Sequence, residues 1–291
     1  MLTACAGRPP PTDLARMGGD TPGAVEYAPS ASPAPHPLGR VVVTDLESFG
    51  IQVTLDPPLS HAAHLLAPVM DSNQTASREA VAFALSHAGI HYPVEHISGA
   101  ELSGASAAEA GHVLAKYLRD DYHNTQFSRL GVGVTEVAGV RRIMLLLGRP
   151  QTALDPVARH QRAGTDFEVS GRLTPGYGQP RVVVTEPSGA VSPVKTRDTA
   201  PTYGARVQCP PTPGRVQVEV LADGPMGPSV VANFPVWCGL TPRTQASVTV
   251  GSGRRQGETP KASETLLFQL LNDARVKAGV TPLTWHVHAA D

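Results

Sequence analysis

The feature that most restricts the fold is a continuous apolar run near the middle of the chain, residues 143–147 (IMLLL). Apolar residues that do not alternate with polar ones are typical of a strand covered on both faces. Two strands are therefore predicted, at residues 130–135 and 140–147, around a turn at residues 136–139. Helices on both faces would cover this hairpin, so the sequence predicts an α/β sandwich.

Three helices are predicted around the hairpin from apolar residues at helical spacing. The first begins at Asp56, with two prolines in its first turn, and ends or bends at Pro68. The second spans residues 77–87 and the third spans residues 107–119. Residues 40–44 (RVVVT) predict a short strand.

The second half of the chain follows a different pattern. From about residue 166, short β-rich runs are separated by Gly and Pro turns. Six strands are predicted in this part: FEVSGRL, RVVVTEP, AVSPVK, YGARVQC, RVQVEVLA and SVVANFPVWC. Their spacing of about ten residues predicts an immunoglobulin-like antiparallel β-sandwich over residues 160–240. The predicted fold class is therefore α+β.

Two segments rich in Pro, Gly, Ser and polar residues flank these domains. Residues 1–38 predict a lipoprotein leader and a disordered tether, and residues 241–259 predict a linker. Between them lie the α/β domain at residues 39–150 and the β-sandwich.

The last segment, residues 260–291, contains an amphipathic helix that ends at Gly279. The apolar stripe consists of Leu266, Leu267, Leu270, Leu271 and Ala274. A lone helix with such a stripe is not stable by itself. We expect either a third domain that is cut short or a helix that docks onto an earlier one.

The three cysteines suggest different roles. Cys5 follows residues 2–4 (LTA), a short run that fits the lipobox of bacterial lipoproteins. The usual upstream regions are missing, so Met1 could be internal to a longer signal peptide; a chance match is the alternative. Cys209 and Cys238 each lie at the end of a predicted strand. In an exported chain they should form a disulfide.

Charge and hydropathy restrict the partners. The formal net charge is −1, which gives no long-range field to attract nucleic acid or an acidic membrane. No run approaches the roughly 18 apolar residues of a membrane helix. We therefore expect no nucleic-acid partner and membrane attachment only through a lipid anchor.

The closing stretch (LLFQLLNDARVKAGVTPLTW) resembles the opening of the CAP, or SCP-like, domain. The likeness lies in paired leucines, Leu-Leu-Asn, an Arg three residues on, then Gly, Pro-Leu and Trp. This family has an α/β/α sandwich fold and occurs mostly in secreted proteins. The resemblance implies that residues 260–291 begin a truncated CAP domain.

Residues from about 50 to 148 resemble a divergent copy of the same domain. Residues 94–97 (VEHI) stand where the family has a Gly-Glu-Asn-Ile turn, and Gly131-Val132-Gly133 matches the Gly-Val-Gly that opens the next strand. Tyr117 and His123 match an aromatic residue of the helix and the histidine after it. The leading Leu-Leu-Asn helix is absent, and His96 replaces the Asn.

The family's cleft of two histidines and acidic residues can hold a divalent metal. When this ligand set is transferred to the matching positions, the resemblance implies Glu95 and His123 as ligands, with His61 or His64 as a third. Imidazole and carboxylate ligands suit zinc, which is the only cofactor that the sequence suggests. Scattered single histidines are also common on protein surfaces, so a decayed cleft is the alternative.

These patterns predict an exported envelope protein, lipid-anchored or secreted, whose role is binding rather than catalysis. The expected ligand is a surface protein, a polysaccharide or a lipid. Two alternatives remain open: a metal-dependent hydrolase that uses the His/Glu cleft, and a structural adhesin-like stalk. The hydrolase requires Glu95, His123 and a histidine of the first helix to converge around an open cleft.

Overall fold

The computed structural model describes residues 13–19, 23–27, 36–71, 74–122, 127–137, 139–199, 201–250, 260–277 and 279–285. These residues form helices and sheets of the α+β class, as predicted. The chain divides into two compact units, Met1–Gly251 and Ser252–Asp291.

The described helices are α1 (Pro37–Ser48), α2 (Pro57–Leu66), α3 (Arg78–His87), α4 (Ala107–Tyr122) and α5 (Pro260–Lys277). The strands are β1 (Asp13–Gly18), β2 (Glu26–Tyr27), β3 (Thr54–Leu55), β4 (Val94–Leu102), β5 (Arg129–Val137), β6 (Val140–Gly148), β7 (Thr152–Leu154), β8 (Val157–Ala158), β9 (His160–Gln161), β10 (Asp166–Leu173), β11 (Gly178–Thr185), β12 (Val191–Val194), β13 (Thr196–Thr199), β14 (Thr202–Gln208), β15 (Gly214–Gly224), β16 (Gly227–Cys238) and β17 (Gln245–Val250).

A four-stranded sheet in the order β3-β5-β6-β4 forms the centre of residues 36–148, which we call the helical lobe. β3 runs parallel to β5, and the other neighbours are antiparallel. On β6, Met144 and Leu146 pack with α2 and α3. On the opposite face, Ile143, Leu145 and Leu147 pack with α1 and α4. The prediction that this strand is covered on both faces is confirmed.

Helix α2 lies directly on β5 because two glycines remove the side chains at the contact. A Cβ atom at Gly131 would lie 2.5 Å from the backbone of α2, and one at Gly133 would lie 2.0 Å from it. Backbones can approach this closely only where no side chain intervenes. The start of α2 is fixed to the same strand, since the backbone N–H of Asp56 donates to the carbonyl of Leu130 at 2.8 Å.

The prediction of a strand at residues 40–44 is wrong, because these residues lie in α1. The His36 side chain caps the helix by accepting a hydrogen bond from the backbone N–H of Leu38. Leu38, Val42 and Leu46 then point into the core at intervals of four residues. Burial of this stripe outweighs the lower helix propensity of valine, which amounts to less than about 1 kcal/mol per residue. A helix therefore precedes β3 although the Leu-Leu-Asn motif is missing.

The expected turn at residues 94–97 is instead the start of an edge strand, β4. Val94 pairs with Gly148 and His96 pairs with Leu147, so Glu95 is the extra residue of a β-bulge. A bulge bends a strand without ending its pairing, and a sequence that favours a turn can therefore remain in a sheet.

The tether and linker predictions are wrong for several residues at both ends of the first unit. Strand β1, within the predicted tether, pairs antiparallel with β17, within the predicted linker. Met17 of β1 and Val248 of β17 are buried in the core that also contains residues of α2 and α3. Composition could not show this pairing, because each segment finds its partner more than 200 residues away. Cys5 lies outside the described residues.

Residues 152–238, which we call the β lobe, contain two facing sheets. Their strand orders are β13-β14-β10-β7 and β12-β11-β15-β16-β9. Adjacent strands are antiparallel except β16 and β9, which are parallel. The core between the sheets includes Val169, Val218, Phe234 and Val236. All six strands predicted in this region are confirmed.

The disulfide between Cys209 and Cys238 is confirmed and joins the two sheets of the β lobe. Cys209 follows β14 of one sheet, and Cys238 ends β16 of the other. The two Cα atoms are 5.5 Å apart, which is within the range that a disulfide bridges. Both cysteines are fully buried in the core.

The strap, residues 23–27, connects the two lobes. The backbone N–H of Ala24 donates to the carbonyl of His87 at the end of α3, with a distance of 2.8 Å. Tyr27 is fully buried in the β lobe, where its ring centre lies 4.7 Å from that of Phe234. Its strand β2 pairs with β8. The strap therefore fastens α3 to the β-lobe core.

A buried cation lies under the strap. Arg159 is 3% exposed and donates from Nη1 to the carbonyl of Ala24. Its guanidinium carbon lies 5.0 Å from the ring centre of Trp237 and 5.9 Å from that of Tyr27, so aromatic faces stabilise part of its charge. Within the described part of the chain, this charge has no carboxylate partner.

The second unit contains the predicted amphipathic helix as α5. The turn after α5 folds back on the helix: Asn272 forms two hydrogen bonds with the backbone of Leu283, and Phe268 packs edge-on against Trp285 at 5.0 Å. Leu267 and Leu270 remain exposed. The expectation of a truncated or docked domain stays a prediction. Among all described helices, none is long and apolar enough to cross a membrane.

Replacing Cys209 and Cys238 with serine should lower the free energy of unfolding. The bridge closes a loop across a sequence separation of 29, and the chain-entropy estimate for such a loop is about 3–4 kcal/mol. Urea denaturation of the wild type and the double variant measures the difference. In a thiol titration of the unreduced, denatured wild type, Cys209 and Cys238 should not react. Two or more reactive thiols in this three-cysteine chain would contradict the bridge.

The substitution Gly23→Ala should loosen the strap. A Cβ atom there would lie 2.8 Å from the Arg159 guanidinium, the His87 ring and the His87 carbonyl, so the Ala24 hydrogen bond must shift. Overpacking of this kind costs about 1–3 kcal/mol. Gly19→Ala is the matched control, because nothing lies within 4 Å of its Cβ position. Equal urea midpoints for the two variants would show that the strap tolerates the added methyl group.

Candidate functional site

Two of the predicted metal ligands lie on the same helix but contact different neighbours. His61 and His64 both lie on α2. The ring of His61 lies 5.8 Å from the ring of His87 on α3, and burial followed by the nearby His64 lowers the pKa of His61. By contrast, Nδ1 of His64 lies 3.0 Å from the carbonyl oxygen of Val134 on β5.

The other two predicted ligands do not complete a centre within the described residues. Glu95 is exposed in the bulge of β4, and His123 lies outside the residues that the structure describes. No three or more His, Cys, Asp or Glu side chains of the described ranges are arranged to hold a metal ion. Zinc binding therefore stays a prediction that depends on His123.

Tyr117, the aromatic residue expected from the resemblance, belongs to a chain of hydroxyl groups between α4 and β4. Its hydroxyl lies 3.3 Å from that of Tyr122, which in turn lies 3.0 Å from the Ser98 hydroxyl. The His96 ring packs on Tyr122, with ring centres 4.6 Å apart. The contacts hold the end of α4 against the edge strand.

A separate cleft of about 270 Å³ lies where the helical lobe meets the β lobe. Its walls come from the start of α2, the loop after α3, the start of β5 and the residues leading into β7. The polar side chains in it include those of Asp56, Tyr92 and Arg129. Ile90 and three prolines supply apolar walls. The sequence did not predict this cleft.

Asp56 has a fixed orientation in the cleft. One carboxylate oxygen accepts the backbone N–H of Leu59 at 2.9 Å and so caps α2. The other accepts the Tyr92 hydroxyl at 3.0 Å. Burial, and then the negative charge of Asp56, raise the pKa of Tyr92, which therefore remains a protonated donor. Each carboxylate oxygen has a second lone pair available for a ligand.

Arg129 supplies the opposite charge. It is partly buried at the start of β5, opposite Thr54 of β3, and its charge acts on Tyr92. Its guanidinium forms no hydrogen bond or ion pair with any residue that the structure describes, Asp56 included. No described residue therefore uses the N–H donors of this guanidinium, which lines the cleft.

His91 keeps the back of the cleft uncharged. Burial lowers its pKa to about 4, an effect only partly offset by the backbone of Gly89 and Thr152. Its own carbonyl accepts the backbone N–H of Asn233 at 2.6 Å, which joins the loop after α3 to β16. A neutral imidazole therefore lies between the two lobes at physiological pH.

Sequence reasoning identified Asp56 only as a helix start and assigned no role in a site to Tyr92. Arg129 carried no signal, because a single arginine before a strand is ordinary. The nearest signal was the Asp-Pro-Pro start of α2, since a capping carboxylate lies at the end of an element, where clefts form.

No known protein-family model matches this chain, and no curated protein sequence matches it. A function for the chain therefore has to be inferred from the geometry of its described residues.

Stability should fall as the pH drops from about 6.5 to 4. The unfolded chain takes up a proton on His91 near pH 6.5, whereas the folded chain does so only near pH 4. Stability is therefore full above the unfolded pKa and declines through this window, by about 3 kcal/mol for His91. Urea denaturation at pH 7.5 and pH 4 measures the change.

The variant His91→Gln should show a smaller loss over the same pH range, because glutamine does not titrate. His160→Gln, which replaces an exposed histidine of the β lobe, should keep the wild-type dependence. A His91→Gln variant that loses as much stability as the wild type would contradict the assigned cause.

Proposed function

We propose that this protein is an exported, surface-anchored member of the CAP family that acts as a non-enzymatic binding module. Its ligand is a surface partner, a polysaccharide or a lipid. In this proposal, the helical lobe is a divergent CAP domain, the β lobe is an immunoglobulin-like sandwich, and α5 begins a further CAP domain. Cys5 carries the lipid anchor.

The single observation that carries the binding role is the cleft at the lobe junction. Asp56 and Arg129 bear opposite charges in this cleft but do not pair with each other. Two charges that do not pair in a partly apolar cleft lose part of their solvation, and neither compensates the other. The polar groups of a ligand would supply this compensation. The hydrogen bonds to Asp56 hold its carboxylate ready for such a ligand.

Two further observations support the rest of the proposal. The Cys209–Cys238 disulfide is a form of cross-link that persists in oxidising, extracytoplasmic compartments. Helices on both faces of a short sheet agree with the α/β/α sandwich of the CAP family. An anchor at Cys5 would hold the cleft near the cell surface.

The test is sedimentation of the purified protein with cell-wall polysaccharide and, separately, with lipid vesicles and envelope proteins from the producing cell. The wild type should bind at least one of these fractions. Arg129→Ala should bind about tenfold or more weakly, because a charged hydrogen-bonding group is lost. Arg206→Ala, which removes an exposed arginine of the β lobe, should bind like the wild type.

Thermal melting of both variants shows whether each remains folded. Binding that is unchanged in a folded Arg129→Ala variant would exclude the cleft as the ligand site. Turnover of the bound fraction by the wild type, with release of soluble products, would instead favour a hydrolase.

A further inference from the structure

The cleft itself restricts the class of ligand. Its volume of about 270 Å³ corresponds to about nine water molecules at the volume each occupies in the liquid. This volume accommodates one ring-sized group of a ligand. Ile90 and the proline walls offer contact to carbon atoms, while Asp56 and Arg129 offer contact to polar ones.

Arg129 favours a ligand with a carboxylate. Its guanidinium is partly buried, and no acceptor among the described residues uses its N–H groups. A planar fork of donors matches the two oxygens of a carboxylate, and charge-assisted pairs of this type are about twice as strong as neutral ones. A neutral ligand would leave this charge uncompensated.

Asp56 favours hydroxyl groups on the same ligand. Its carboxylate already accepts two hydrogen bonds and retains capacity for two more. It also repels anions, and the repulsion is greater for a doubly charged phosphate than for a singly charged carboxylate. A group with one negative charge and several hydroxyls therefore fits better than a phosphate.

We propose that the cleft binds an acidic sugar, that is, a pyranose ring with one carboxylate. This inference rests on the proposed function and selects the polysaccharide among its possible ligands. The carboxylate pairs with Arg129, ring hydroxyls donate to Asp56, and the carbon face of the ring lies on the proline walls. The Tyr92 hydroxyl holds Asp56 in position without contacting the sugar.

The test is to titrate the full chain separately with three probes, D-glucuronate, D-glucose and inorganic phosphate. Ligand-observed NMR measures the binding of each probe. D-glucuronate should bind about tenfold or more tightly than D-glucose, which lacks the carboxylate, and than inorganic phosphate, which lacks the ring. Arg129→Ala should lose the preference for glucuronate over glucose. Arg129→Lys should retain part of it, because lysine keeps the charge without the planar fork. Arg206→Ala should behave as the wild type.

The outcomes separate the two proposals. Glucuronate binding no tighter than glucose or phosphate would overturn the acidic-sugar inference. If cell-envelope binding still depended on Arg129 in that case, the cleft would remain the ligand site for another class. If neither glucuronate nor the envelope distinguished the wild type from Arg129→Ala, both proposals would fail.

Discussion

The close contact between α2 and β5 is the constraint on which the rest of the helical lobe depends. Gly131 and Gly133 let the helix backbone lie on the strand, and any larger residue would push the two apart. The contact brings the start of α2 beside the start of β5. Asp56 and Arg129 therefore reach the same cleft although 73 positions separate them in the sequence.

The second structural determinant is the junction between the lobes. The strap fastens α3 to the β-lobe core, and the backbone of His91 bonds to Asn233 of β16. These interactions join two hydrophobic cores that share no residue. The cleft forms at this junction, where the loop after α3 and the ends of neighbouring elements supply its walls.

The polar groups near the junction differ in how their charge is neutralised or stabilised. His91 and His87 are neutral because burial lowers their pKa values, and the positive charge of Arg159 contributes to the shift at His87. Arg159 itself is stabilised by a carbonyl and by aromatic faces. Asp56 and Arg129, in contrast, retain free hydrogen-bonding capacity in the cleft. Near the junction the buried histidines are thus neutral and Arg159 is held by a carbonyl and by aromatic faces, while the candidate ligand-binding groups remain available.

Elements with a local hydrophobic period could be predicted from the amino-acid sequence. It predicted the doubly covered β6, the helices α2, α3, α4 and α5, the six strands of the β lobe and the Cys209–Cys238 pair. Three features could not be predicted in this way: α1, the bulged β4 and the pairing of β1 with β17. In each of them, burial or a distant partner outweighs the local preference of the residues. The cleft belongs to the second group, since a site built from four separate segments leaves no pattern in any one of them.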